Sequence, residues 1–193
     1  MTKEILVDLV HIRLNERFHK KTIEYNIGRA WNQLMYDTFR KNPDDLDLYA
    51  KQYTASVSDD ATTAAEYITM PAAFVQLPDD EHIRRISPLQ DTTNVFDPVS
   101  IASQSRFNNL DVSLISERPT TYIVKHNRVE FDDLAADVKA AGVLIDLVVA
   151  FEEYDDDDNV NIPSGKDETL INLVTQFLEN TQPDNIIDND NDI

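Results

Sequence analysis

Apolar residues recur at helical spacing in the first part of the chain. Ile5, Leu6, Leu9 and Ile12 predict a first helix, whose pattern stops at the polar residues 15–21. A second helix is predicted from Thr22, which is taken as its N-cap. Its stripe is the clearest in the sequence and contains Ile23, Ile27, Ala30, Trp31, Leu34, Met35 and Thr38.

A short third helix is expected after Asn42, because Pro43 follows at a position where proline suits a first helical turn. Leu46, Tyr49 and Tyr53 are then expected to face inward. These helices give a predicted helical unit at residues 1–53. Residues 54–66 are rich in Ser, Thr, Ala and Asp, and this composition predicts a linker or long loop.

A β-rich domain with a closing helix is predicted for residues 67–180. Its strands are short runs of Val, Ile, Phe and Tyr bounded by Pro, Asn or Asp, at 72–77, 83–87, 110–115, 120–125, 128–131 and 143–151. The pair at 120–125 and 128–131 reads as a hairpin with a two-residue turn, because Asn127 tolerates positive φ. Residues 98–107 predict a short helical insertion. The fold class is therefore α+β.

The closing helix is predicted to begin near Ser164, with Asp167 completing a capping box. Its apolar stripe contains Leu170, Ile171, Val174, Phe177 and Leu178. Residues 181–193 form an acidic tail that is too polar to pack, and the sequence predicts that it is disordered.

The composition excludes several classes of protein. The 193 residues contain no cysteine, which excludes disulfides, thiolate metal sites and cysteine nucleophiles. Glu4 and Asp8 interrupt any apolar signal core, so no signal peptide is expected. The longest apolar stretch, 143–151, is interrupted by Asp146 and is shorter than the ~20 residues that cross a membrane, so no membrane span is expected.

The charge is strongly negative and unevenly distributed. The formal net charge is −19, yet residues 1–42 carry eight Lys or Arg against five Asp or Glu, a balance of +3 that leaves −22 for the rest. This difference favours head-to-tail or side-by-side attraction between copies. A solvated acidic surface that keeps the protein in solution is the competing interpretation. Nonspecific binding of nucleic acid is disfavoured by the negative net charge. A nucleic-acid binder would have to use the basic stretch 13–21, through Arg17, Lys20 and Lys21.

No enzymatic signature is complete. Gly165 and Lys166 resemble the end of a phosphate-binding loop, but Val160 replaces its first glycine and Asp167 its Ser or Thr. The four histidines, His11, His19, His82 and His126, lack a metal-ligand spacing. No serine lies in a nucleophile elbow. The sequence therefore predicts no catalytic residue, no cofactor and no metal ligand, and a protein that is not an enzyme, although catalytic carboxylates can hide among so many acids.

Calcium is the one cation for which the sequence offers a template. Asp157, Asn159, Asn161 and Glu168 fall at positions 1, 3, 5 and 12 of a calcium loop, but Ile162 stands where the loop requires glycine. A solvated acidic loop before a capped helix is the competing interpretation. A calcium-dependent protein-binding module stays the alternative function.

Six segments in order carry a resemblance to a known family. They are TIEYNIGRAWNQLMYDTF, PAAFVQLPDD, FDPVSIASQSRF, TYIVKHNRVEF, GVLIDLVVAFEEYDDDD and IPSGKDETLINLVTQFL. Over about residues 5–180 the chain resembles the head-to-tail connector, or neck ring, proteins of tailed bacteriophages, most of all the ring proteins of crAss-like phages.

The resemblance implies a structural virion protein of the neck, assembled in the bacterial host cytoplasm. Its subunits would form a twelve-fold ring below the portal and contact copies of the same chain, the portal protein and other neck or tail rings. The ring would line the DNA channel and join the capsid to the tail. An acidic channel wall would repel the phosphates of passing DNA and bind none of it specifically.

Overall fold

The computed structural model of the chain describes residues 1–99, 120–132, 134–163 and 165–179. Within them, helices and mainly antiparallel sheets confirm the predicted α+β class. The α-helices are α1 (Lys3–Arg13), α2 (Lys20–Lys41), α3 (Ala136–Ala141) and α4 (Asp167–Glu179). The strands are β1 (Lys51–Ala55), β2 (Ser58–Asp59), β3 (Glu66–Thr69), β4 (Ile83–Pro88), β5 (Asp97–Pro98), β6 (Thr121–Lys125), β7 (Arg128–Asp132) and β8 (Val143–Leu147).

The chain divides into two compact units, neither of which is continuous in sequence. Unit 1 comprises Met1–Ala50, Ala73–Leu77 and the chain from Val148 onward, and unit 2 comprises Lys51–Ala72 and Pro78–Leu147. This differs from the predicted division at 53 and 67, which assigned the closing helix to the β-rich domain. That helix, α4, contacts α1 and α2 instead, because its apolar stripe packs against theirs.

The core of unit 1 is built around Trp31 on α2. Its indole N–H donates a hydrogen bond to the carbonyl of Val149 at 2.9 Å. The Trp31 ring meets Tyr49 and Tyr154 edge-on, at centroid distances of 5.8 and 6.0 Å, and Phe151 at 6.4 Å. Such contacts add to the hydrophobic gain of burying large rings. A single aromatic cluster therefore joins α2 to the chain around residue 150.

The helix α1 buries only part of its apolar sequence. Leu6, Val7 and Val10 are buried, whereas Ile5, Leu9 and Ile12 are 51%, 43% and 66% exposed. At 100° per residue the two sets occupy neighbouring arcs of the helix, and only one arc faces the core. The apolar pattern therefore located the helix correctly. It assigned residues from a buried stripe and from an exposed stripe to one apolar face.

Other predictions for unit 1 need correction at their boundaries. The helix α2 begins at Lys20 with His19 as its N-cap, so Thr22 lies within the first turn. The third helix is a 3-10 helix at Pro43–Tyr49, and Tyr53 lies on β1 instead. The strand predicted at 72–77 is wrong, because only an isolated bridge pairs Phe74 with Val149.

The closing helix is confirmed, with Leu170, Ile171, Val174 and Leu178 buried on one face. Ser164, the predicted start of its capping box, lies outside the described residues. So do the acidic tail at 181–193, the strand at 110–115 and residues 100–107 of the predicted insertion.

Unit 2 contains two sheets within the described residues. In the three-stranded sheet, β8 lies between β1 and β4, and both pairings are antiparallel. The five-stranded sheet has the order β2-β3-β7-β6-β5, and its β5–β6 pairing is parallel. Ile68, Val129 and Ile145 on interior strands and Ile86 on the edge strand β4 are fully buried.

The segment predicted as a linker or long loop, 54–66, is irregular at 56–57 and 60–65 but is not free of strands. It contains the end of β1, all of β2 and the first residue of β3, because pairing with β7 and β8 decides the conformation of these polar segments. The strands at 83–87, 120–125 and 128–131 are confirmed. The strand predicted at 143–151 ends at Leu147, and residues 151–153 form a 3-10 turn.

The hairpin between β6 and β7 is confirmed, but its turn differs from the prediction. His126, not Asn127, has the positive φ of 58°. The helix α3 was not predicted, and Gly142 ends it with φ 93°.

Candidate interaction surfaces

The four residues of the calcium template do not gather into one site. The side-chain amide of Asn161 donates to the carbonyl of Ala50 at 2.8 Å. The Glu168 carboxylate accepts a hydrogen bond from Arg13 at 2.9 Å. Across the described residues, no three His, Asp or Glu side chains are placed to hold a metal ion. Calcium binding therefore stays a prediction, without a preformed set of ligands among these residues.

The acidic loop before α4 has a structural role instead. The carbonyls of Asp158 and Asp156 accept hydrogen bonds from the backbone N–H groups of Lys3 and Glu4, both at 3.1 Å. The N–H of Val160 donates to the carbonyl of Met1 at 3.0 Å. The first N–H groups of a helix lack partners within the helix, so this loop caps α1.

The remaining predicted positions are dispersed. Gly165, with φ 82°, and Lys166 precede α4, which begins at Asp167. Among the histidines only His82 is buried, and desolvation lowers its pKa from 6.5 to about 4. His82 therefore stays neutral near pH 7.

The first candidate surface is the basic turn, residues 13–21, which joins α1 to α2. Asn15 and Glu16 both have positive φ, 52° and 56°, so the chain reverses sharply here. Lys20 pairs with Asp8 at 2.6 Å, and this hydrogen bond and the charge of Asp8 raise the pKa of Lys20. At the tip of the turn the chain exposes Arg17.

Two cations of the basic turn have no ion-pair partner within the described part of the chain. Arg13 is paired with Glu168 and Lys20 with Asp8, but Arg17 and Lys21 are exposed and unpaired. An exposed charged side chain without an ion pair in its own chain is available to a partner. The sequence found this stretch, since its charge departs from that of the rest of the chain.

The second candidate surface is the acidic cavity of unit 2, which has a volume of about 600 Å³. Its walls come from the 3-10 turn Pro78–Asp80, the start of β4, and strands β5 and β6. The residues that line it are Asp79, Asp80, Glu81, Ile83, Arg84, Arg85, Val95, Phe96, Asp97, Pro98, Val99, Tyr122 and Val124.

Both arginines of the acidic cavity are already neutralised. Arg84 pairs with Glu81, and the Arg85 side chain donates to Asp146 at 2.8 Å. The carboxylates of Asp79, Asp80 and Asp97 make no ion pair within the described residues. Asp79 and Asp80 also have positive φ, 55° and 59°, which is unusual for two consecutive residues other than glycine. The cavity therefore carries an uncompensated negative charge.

The shifted pKa values of groups in the cavity walls agree with this uncompensated negative charge. Partial burial and then the charge of Asp79 raise the pKa of Asp80. Burial, followed by the charges of Asp80 and Glu81, raises the pKa of Tyr122, so its hydroxyl group stays protonated. An uncompensated negative potential favours a cationic occupant.

Tyr122 and Phe96 give the cavity an aromatic wall. Their side chains are only 6% and 3% exposed. No hydrogen bond to the Tyr122 hydroxyl is found among the described residues. Aromatic rings beside carboxylates are the surroundings that a guanidinium group prefers. Sequence reasoning missed this site, because its residues lie up to 45 positions apart, from Asp79 to Val124.

Comparison with other proteins adds no identification. No model of a known protein family matches the chain, and no curated protein matches its sequence. None of the helices in the described part of the chain combines the length and apolar character that a membrane crossing requires.

Proposed function

We propose that the protein is a structural virion subunit that assembles as a ring in the head-to-tail connector of a tailed phage, below the portal. The ring lines the DNA channel and joins capsid to tail. This proposal rests on the ordered resemblance of residues 5–180 to neck ring proteins, and the chain acts in it as a binding protein and not as an enzyme.

The observation that carries the proposal is the presence of two different, oppositely charged surfaces on one chain. The basic turn exposes Arg17 and Lys21, and unit 2 carries the acidic cavity with three unpaired aspartates. A ring needs a heterologous interface, in which one patch of a subunit contacts a different patch of the next. Two complementary patches on every copy meet that requirement.

Two further features support an assembling subunit. The stripe of Ile5, Leu9 and Ile12 leaves apolar surface exposed on α1, which is typical of contact with another protein. The balance of −22 outside residues 1–42 disfavours tight binding of passing DNA, since phosphates are repelled by carboxylates.

Measurement of the native mass tests this proposal. We expect sedimentation and native mass spectrometry to show a closed ring of about twelve copies, alone or on addition of portal protein. A chain that stays monomeric under both conditions and over a wide range of concentration contradicts it. Filaments without closure contradict it as well, because an open helical assembly does not form a neck ring.

A further inference from the structure

We propose that Arg17 of one copy inserts its guanidinium group into the acidic cavity of the next copy. This inference rests on the proposed function and names the contact that propagates the ring. It commits to one occupant, the basic turn of a second copy of this chain.

The cavity is suited to a guanidinium group. Asp79, Asp80 and Asp97 offer carboxylate oxygens that no cation of the described chain neutralises. The planar guanidinium group forms paired hydrogen bonds with carboxylates and stacks on aromatic rings. An ammonium group is a compact point charge and attracts carboxylates without that paired geometry. Phe96 and Tyr122 supply those rings.

A second observation points to a ligand independently of the acids. Tyr122 is 94% buried as a residue, and its hydroxyl group has no hydrogen-bond partner among the described residues. That hydroxyl is not one of the fully buried polar atoms, and Tyr122 lines the cavity, so the group is open to a donor or acceptor that enters. The volume of about 600 Å³ is large enough for an entering side chain.

Arg17 is better placed than the other free cations. It follows two residues with positive φ in the connection between α1 and α2, and it is exposed there. Arg40 and Lys41 are also exposed, but they lie in the last turn of α2, where the helix dipole already stabilises positive charge. Lys21, in the first turn of α2, lies four residues after Arg17 in the same basic turn and adds to the local positive charge.

The first experiment compares Arg17→Ala with the matched variant Arg40→Ala, which removes the same charge some 30 Å away along α2. We expect Arg17→Ala to raise the dissociation constant for self-association at least about 30-fold. We expect Arg40→Ala to stay within about twofold of the wild type. Circular dichroism and Trp31 fluorescence verify that both variants fold.

A charge swap addresses the cavity itself. Asp97→Arg weakens assembly of otherwise wild-type chains, and combining it with Arg17→Glu restores assembly, because the two opposite charges are exchanged between the partners. A double variant that assembles no better than the single variants contradicts the contact.

The outcomes separate this inference from the proposed function. Rings that form equally well from wild type and Arg17→Ala overturn the inference and leave the ring intact. Association that depends on Arg17 and stops at a pair of copies supports the contact and overturns the ring. A chain that does not self-associate at any concentration overturns both.

Discussion

The two units bury different kinds of side chain. The core of unit 1 is aromatic and aliphatic, and Asn26 is its only buried polar side chain among the described residues, apart from tyrosine hydroxyls. Unit 2 buries His82, Ser87 and Glu130 within and beside its sheets. A buried ionisable group couples folding to proton binding, whereas an apolar cluster does not. The comparison therefore predicts different responses of the two units to truncation and to pH.

The buried carboxylate of unit 2, Glu130, is held by local ion pairs. Glu130 on β7 accepts hydrogen bonds from Lys125 and Arg128, and Arg128 also donates to Asp60 at 3.0 Å. Paired charges of this kind fix the register of strands more than they stabilise them, since desolvation offsets much of the attraction. Unit 1 relies instead on the area of its rings.

The largest expected effect is the loss of the Trp31 ring. Trp31→Ala removes three ring contacts and the hydrogen bond to the Val149 carbonyl, and we expect a loss of about 3–5 kcal/mol. Chemical denaturation followed by far-ultraviolet circular dichroism measures it. Trp31→Phe serves as the control, because it keeps an aromatic ring in the cluster and is expected to lose less.

Hydrogen exchange of the Trp31→Ala variant then tests whether the loss of stability is confined to unit 1. We expect faster exchange in Met1–Ala50 and 148–179, with protection retained in the strands of unit 2. Equal loss of protection in both units would show that they unfold together in one cooperative step. The two cores would then not be independent in stability.

A smaller effect is expected from pH, through His82 in unit 2. Desolvation lowers the pKa of the folded state to about 4, below the unfolded value of 6.5. As the pH falls from 6.5 to 4, the unfolded chain binds the proton and the folded chain does not. The contribution of His82 to stability is therefore fully present above pH 6.5 and declines by about 3 kcal/mol as the pH falls across that window.

Two variants separate the contribution of His82 from the titration of carboxylates. His82→Gln removes the ionisable group, and the pH dependence of its unfolding free energy between pH 6.5 and 4 should be flatter than that of the wild type. His126→Gln removes an exposed histidine from the turn after β6 and serves as the control for the substitution itself. An identical slope for wild type and His82→Gln contradicts the assignment.

The helices were predictable because their periodicity coincides with burial. Ile23, Ile27 and Trp31 on α2 are spaced for one face and are all fully buried. The same reasoning failed on α1, where Ile12 is as apolar as Val10 but faces away from the core. Periodicity reports that a residue can be buried, whereas the position of the neighbouring elements decides which arc is covered.

The strands between 51 and 69 were not predictable from local composition. Ser58 and Asp59 are residue types that favour turns, yet they form β2 because β3 provides the hydrogen-bonding edge. The acidic cavity was missed for a related reason. Asp80, Asp97 and Tyr122 are separated in sequence and meet only through the tertiary structure, whereas the basic turn is a continuous segment and was visible as a local change of charge.

The smallest expected effect concerns the backbone, and two glycines make a matched pair across the units. Both have positive φ, 93° at Gly142 in unit 2 and 82° at Gly165 in unit 1. A Cβ atom at Gly142 would lie 2.8 Å from the carbonyl oxygen of Ala55, whereas one at Gly165 meets nothing within 4 Å. Backbone strain applies to both substitutions, and the steric clash to the first alone.

We therefore expect Gly142→Ala to cost about 2 kcal/mol and Gly165→Ala about 1 kcal/mol, measured by urea denaturation. The clash at Gly142 involves backbone atoms of the strand that pairs with β8, so it cannot be relieved by rotating a side chain. Relief instead requires β1 and the end of α3 to move apart. Equal losses for the two variants would show that this backbone yields, and that the packing of unit 2 is more adaptable than its ladder of β1 and β8 implies.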